Sequence, residues 1–167
     1  MQREARQRVL MHSDSPHSMT SPGSQPWRVA CDGSAHPNPG KMGLGAVIEA
    51  PDGRILHLSC AGPGHGCNNE AEIRAVIEAM TLARAHGAQR LRIQSDNSIL
   101  IDQLRHTESP PLARLHPLIL EARAQSLGFE AIEWVWVPRH RNREADALAR
   151  AALGLPPKVS VPHKRRK

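Results

Sequence analysis

The sequence predicts a mixed α/β domain in which a hairpin-connected sheet is extended by crossover strands and covered by helices, in the element order βββαβααβα. Three observations carry that prediction. Two alternating segments, Leu44 to Ala50 and Arg54 to Ala61, flank the turn Pro51-Asp52-Gly53 and follow a short apolar run from Trp27 to Asp32. Apolar residues then recur at helical spacing through Ile73, Val76, Ile77, Met80 and Ala83. From there to Gly154, strand-like and helix-like segments alternate, as strands joined by crossovers require.

Each later element has its own signals. Gly87 closes the long helix, and Leu91 to Ser95 returns to strand. Asn97 to Arg105 and Leu112 to Leu127 are helical, separated by Ser109-Pro110-Pro111, where the prolines remove donors and break the ladder. Ala131 to Val137 is a strand with Ile132, Trp134 and Trp136 on one face and Val135 and Val137 on the other. The two tryptophans read as core residues rather than a base-stacking surface. Asn142 is positioned to cap a last helix whose stripe of Ala145, Leu148, Ala149 and Ala152 ends at Gly154.

These elements occupy residues 26–154, the expected domain. Residues 1–25 are rich in Ser, Pro, Gln and Arg without periodicity and are expected to be a disordered leader, with Met11 or Met19 as alternative starts. Residues 155–167 are expected to be a basic, disordered tail. A chain of 167 residues with 40% hydrophobic content can bury one good core. No stretch approaches the roughly 18 apolar residues of a membrane span, and no signal-peptide core follows the first methionine. Cys31, Cys60 and Cys67 are odd in number and form no repeated CxxC pattern, so a reducing, cytoplasmic location and no disulfide framework are expected. Cys60, His65 and Cys67 lack an evident fourth partner for zinc.

The net charge of +6 suggests nucleic acid, but its distribution matters more than its sum. Residues 28–154 carry equal numbers of Lys/Arg and Asp/Glu, while the segment after residue 154 holds Lys158, Lys164, Arg165, Arg166 and Lys167 and no acid. The basicity lies mainly in a tail.

Four carboxylates stand at element boundaries. Asp32 ends the first strand, Glu72 lies in the first turn of the long helix, Asp96 follows the fourth strand, and Asp146 lies in the first turn of the last helix. Each alone has an ordinary account as a turn residue or a complement to a helix dipole. Together they would repel one another and raise their pKa values unless divalent cations neutralised them. Oxygen-only ligands suit Mg2+ or Mn2+ rather than zinc, and a pair of such ions can cut phosphodiesters.

The residues that carry this pattern also resemble a family. CDGSAHPNPG, then GKMGLGAVIEA, NNEAEIRAV, SDN and NREADALA, in that order, resemble the type 1 ribonuclease H family over about residues 27–154. The resemblance implies a ribonuclease H-like fold with a five-stranded mixed sheet and hydrolysis of the RNA strand of RNA/DNA hybrids to 5′-phosphate and 3′-hydroxyl ends. It makes Asp32, Glu72, Asp96 and Asp146 the catalytic metal ligands for two Mg2+ ions, with Mn2+ as a substitute and Asp32 as the bridging carboxylate. It also assigns substrate contacts to Ser34, Asn38, Asn69 and Asn97, with Asn68 beside them. Carboxamides suit that task because they present donor and acceptor together, and so reach a ribose 2′-hydroxyl without adding charge.

The chain departs from the family pattern at three points. VPRHRNREAD is short, so His140 is a candidate for proton transfer and Arg139 or Arg141 for a phosphate-facing role. No basic handle is present: between Asp96 and Ala131 the Lys/Arg residues are only Arg105, Arg114 and Arg123. Lys41, Arg74, Arg143 and the tail are the other cations available for grip. Cys67 stands where a small hydroxyl residue is common, and a thiol is the poorer donor. The expected partner is an RNA/DNA hybrid, with no membrane and a monomeric chain. Two alternatives are a nuclease that also acts on double-stranded RNA and a non-catalytic nucleic-acid-binding module of the same fold.

Overall fold

A computed structural model describes residues 25–159; the expected leader up to residue 24 and the tail from residue 160 lie outside the described residues. The chain folds into β1 (Trp27–His36), β2 (Gly40–Glu49), β3 (Ile55–Gly66), α1 (Asn68–Ala85), β4 (Arg90–Ser95), α2 (Ser98–Arg105), α3 (His116–Ser126), β5 (Ala131–Trp136) and α4 (Arg143–Ala151). Short 3-10 turns precede α3 at Ala113–Leu115 and α4 at Arg139–Arg141. The element order is the expected one. The strands form one mixed sheet in the order β3-β2-β1-β4-β5, with β1, β2 and β3 antiparallel and β1, β4 and β5 parallel.

The hairpins run longer than the alternation alone suggests. β1 continues past Asp32 to His36 because its partner β2 supplies ladder bonds along the whole length, from Arg28 opposite Glu49 to His36 opposite Lys41. The core lies between one sheet face and α1. Val29, Cys31, Leu44, Ala46, Ile48, Leu91 and Ile93 are buried from the strands, and Ile73, Val76, Ala79, Met80 and Ala83 from the helix. Spacing of three and four residues gives α1 that apolar stripe. Gly87, at φ 93, adopts the left-handed conformation that ends it.

Two close approaches fix the helices against the sheet. A Cβ at Gly33 would lie 2.1 Å from the Ala71 carbonyl carbon, so the missing side chain lets the first turns of α1 press against β1. A Cβ at Gly45 would lie 2.3 Å from the Ala145 oxygen and 2.4 Å from the Ala149 nitrogen. Here α4 rests directly on the β2 backbone, with fully buried Ala145 and Ala149 between them.

Three expectations are corrected. β5 is an edge strand, so Trp136 is 51% exposed rather than packed in the core, while Trp134 is half-buried against it. Asn142 does not cap α4 with its side chain. The preceding 3-10 turn aims that side chain inward, where Nδ2 donates to the Cys31 carbonyl at 2.8 Å, 111 residues away in sequence. The start of the tail is also not loose, because Arg150 Nε donates to the Pro156 carbonyl at 2.7 Å and holds residues 155–158 against α4.

Gly45→Ala forces the new methyl into the α4 backbone and should destabilise the protein by about 1–3 kcal/mol, as overpacking does. Urea unfolding checks this, and an unchanged midpoint would show that α4 can lift off without loss.

Candidate active site

β1 runs through the middle of the sheet and carries Asp32 into a nearly closed setting. The residue is 6% exposed, and its Oδ1 accepts the Gly33 N–H at 2.9 Å. The close contact at Gly33 brings the start of α1 alongside, and with it Glu72. Asp96 follows β4, the parallel neighbour of β1, so both strands deliver an aspartate toward the same end of the sheet. Oxygens of Asp32, Glu72 and Asp96 all lie within 4.8 Å of one another.

Asp146 joins from α4. It is not within the same tight group as the other three, but its carboxyl lies close enough to that of Asp32 to help raise its pKa. Its position depends on Asn142, whose carbonyl accepts the Asp146 N–H at 3.1 Å while its side chain is anchored to β1 beside Asp32. The buried amide thus ties the α4 carboxylate to the β1 carboxylate.

The electrostatics follow from this crowding. Burial, then the Asp96 charge, then the contact with Asp146 push the Asp32 carboxyl up to about 8. Burial pushes Glu72 up to about 7, against the hydrogen bond from Asn97 and with the Asp96 charge adding to the rise. Arg139 Nε lies 3.4 Å from Asp96 and Lys158 Nζ 2.6 Å from Asp146. Among the described residues, neither Asp32 nor Glu72 has an ion-pair partner. Buried carboxylates with raised pKa values and only oxygen donors form a set that fits a hard divalent cation.

The expected substrate-binding residues divide by what already holds them. Asn97 caps α2 by accepting the Leu100 N–H at 3.0 Å, and its Nδ2 donates to Glu72 and, at 3.2 Å, to Asn69. This chain of amides runs from the carboxylate cluster to the surface. Asn38 and Asn68 are structural: Asn38 Oδ1 accepts the Asn68 N–H at 3.1 Å, and Asn68 Oδ1 accepts the Ala35 N–H at 2.8 Å. Ser34 lies half-exposed, two residues beyond Asp32. Cys67 precedes α1, and its N–H is held by Glu70 at 2.9 Å.

The candidates before α4 part company. Arg139 reaches Asp96, and His140 lines an open cleft of about 800 Å³ with Arg139, Arg143, Asp146 and Lys158. Arg141 turns elsewhere, into a cavity of about 270 Å³ lined also by Arg28, Glu49 and Gln94, so it is not brought to the carboxylates. Sequence reasoning missed Lys158 as an individual residue. It read the tail as loose, and only the adjacent proline pair hinted at a directed segment.

A family model described as reverse transcriptase-like matches residues 30–152. A ribonuclease H of Geotalea uraniireducens is 30% identical over 139 residues, covering 75% of this chain and 92% of that protein. The chain belongs to the type 1 ribonuclease H family. A bifunctional protein of Mycobacterium tuberculosis is 33% identical over 129 residues, 75% of this chain but only 35% of that protein, so the chain spans about a third of that relative. RNase H1 from Halobacterium salinarum superposes with a TM-score of 0.71 at 30% identity, covering 78% of this chain and 98% of that one. The ribonuclease H family is metal-dependent, and the Asp32, Glu72 and Asp96 cluster can bind a metal.

The raised carboxyls make a stability prediction with a definite sign. Their folded pKa values exceed those of an unfolded chain, so without metal their protonated forms favour folding. That contribution is complete below about pH 4, the unfolded carboxylate range. It is lost as pH rises through about 7 for Glu72 and about 8 for Asp32. In chelator, the thermal midpoint should fall between about pH 5.5 and about pH 8.5, less steeply in Asp32→Asn, and added Mg2+ or Mn2+ should restore most at the higher pH. A metal-free midpoint that does not change over this range, in both proteins, would contradict the crowding.

Proposed function

We propose that the chain is an endoribonuclease that hydrolyses the RNA strand of RNA/DNA hybrids, with two Mg2+ ions held by Asp32, Glu72, Asp96 and Asp146 and Mn2+ as a working substitute. The observation that carries this reading is the convergence of three carboxylates from three separate elements within 4.8 Å, with the fourth beside Asp32. Such a cluster costs stability unless something uses it, which argues against a module that only binds nucleic acid. Bound cations would supply an activated water and charge stabilisation on the phosphate oxygens.

The chain's own residues then have distinct tasks. Asp32, the most buried and the one that lies beside each of the other three acids, would hold the cations at the centre of the set. Asn97 orients Glu72 through its donated hydrogen bond, and Asn69, linked to the same amide, presents its carboxamide toward a ribose 2′-hydroxyl. Ser34 on β1, Asn38 in the turn after it and Asn68 at the start of α1 would contact the substrate, the two amides while also bracing that turn. Arg139, rather than Arg141, takes the phosphate-facing role, since its side chain is 81% exposed and already touches Asp96. His140 is available in the neighbouring cleft to move a proton near neutral pH. The products would carry 5′-phosphate and 3′-hydroxyl ends. The same reading takes the protein as a monomer in a reducing cytoplasm.

Labelled RNA/DNA hybrid, double-stranded RNA and double-stranded DNA, each with Mg2+ or Mn2+ and then chelator, test the reading. Hybrid cutting that stops in chelator is the expected result; double-stranded RNA cutting would widen the substrate class, and binding without cutting would point to the non-catalytic alternative. Asp32→Asn and Asp96→Asn should each lower cleavage by orders of magnitude with unchanged circular dichroism, and near-normal cleavage in both would defeat the assignment. Because few cations face the site, the salt dependence of hybrid binding should be shallow, and Arg139→Ala should reduce its log–log slope by about one.

A further inference from the structure

The segment after α4 doubles back along the helix it has just left. Gly154, at φ 71, reverses the chain, and the Leu155 N–H returns to the Arg150 carbonyl at 3.0 Å. Arg150 Nε then holds the Pro156 carbonyl at 2.7 Å. Pro156 and Pro157 stiffen the next step, because their rings fix φ and favour an extended path. Lys158 consequently arrives at the opposite end of α4 from which the strap departed. Its Nζ lies 2.6 Å from Asp146 Oδ1, twelve residues back in sequence, at the rim of the 800 Å³ cleft.

We propose that residues 155–158 form a strap whose cation, Lys158, competes with a divalent ion for the Asp146 carboxylate. This rests on the reading that the carboxylate cluster holds divalent cations. Lys158 occupies the oxygen that such an ion would use, and two cations cannot share it without strong repulsion. The tether keeps the ammonium at high local concentration, so it returns whenever the oxygen is free. Half-exposed at 53%, the side chain can swing away without disturbing the core. Lysine suits this exchange, being a compact point charge on a flexible stem rather than a bidentate clamp. The competition acts on one side of the site. Asp32, Glu72 and Asp96 make no ion pair with the strap, so an ion that needs Asp146 is loosened more than one held by the other three.

Mn2+ binding to the intact chain without nucleic acid, followed by electron paramagnetic resonance, tests the strap separately from catalysis. Lys158→Met should bind Mn2+ about 1.5- to 5-fold more tightly, the range expected for removing one partly exposed ion pair. Pro156→Gly with Pro157→Gly retains every charge while loosening the tether, and should shift binding in the same direction. Lys167→Ala changes net charge by the same amount as Lys158→Met and should leave binding unchanged. Equal or weaker binding in Lys158→Met or in the double-glycine variant, or equal tightening in Lys167→Ala, overturns the proposal. If the unaltered chain and all variants bind no Mn2+, the reading of the cluster as a cation site fails first, and the strap proposal with it.

Discussion

Carboxylates repel one another, and in a dry setting the repulsion is several times stronger than in water. To bring Asp32, Glu72, Asp96 and Asp146 together, the backbone must therefore hold them with contacts made elsewhere. The sheet does this through the parallel pair β1 and β4, and the helices do it through glycines that let backbone meet backbone. Core burial under α1 and beneath the Ala145 and Ala149 stripe supplies the favourable energy. Burial first, and the repulsion with it, appears as carboxyl groups that stay protonated to unusually high pH.

The four acids are not equivalent. Asp96 and Asp146, on the outer side, each have a cationic side chain beside them, Arg139 and Lys158. Asp32 and Glu72, further in, have hydrogen bonds from Gly33 and Asn97 but no ion pair among the described residues. Counter-charge thus lies on the outer acids, and the inner pair is left for an incoming cation. A cation entering from solvent meets partly neutralised acids first and gains most from the inner pair, which favours residence at the bottom of the site over loose binding at the rim.

Much of this was legible in the sequence, because Glu72, Asp96 and Asp146 lie near where elements begin or end and all four acids lie within local phrases. Element order and the hairpins followed from alternation and turn residues. What escaped depends on contacts between distant residues. Trp136 looked like core because alternation reports which face a residue occupies, not whether that part of the strand is covered by a helix. Asn142 looked like a cap because the residue type favours caps, whereas its partner is a carbonyl 111 residues away. Arg139 and Arg141 were interchangeable in sequence and separate only because the 3-10 turn points them in different directions. Lys158 was hidden within a charge run that composition alone reads as solvated.

The missing basic handle acquires a physical meaning once the remaining cations are traced. Arg105 donates to the Trp134 carbonyl at 2.7 Å, and Arg123 donates to the carbonyls of Gln103, His106, Thr107 and Ser109. Arg123 therefore closes the loop between α2 and α3, where the backbone would otherwise leave acceptors unpaired, and Arg105 ties the end of α2 to β5. Positive charge gathers instead on the other side of the cluster, where Arg139, Arg143 and Lys158 line one cleft with His140. A polyanion approaching the carboxylates would be drawn to that side. Around α4 the cations Arg139, Arg143 and Lys158 thus stand in the same short stretch of sequence as one of the four acids, Asp146.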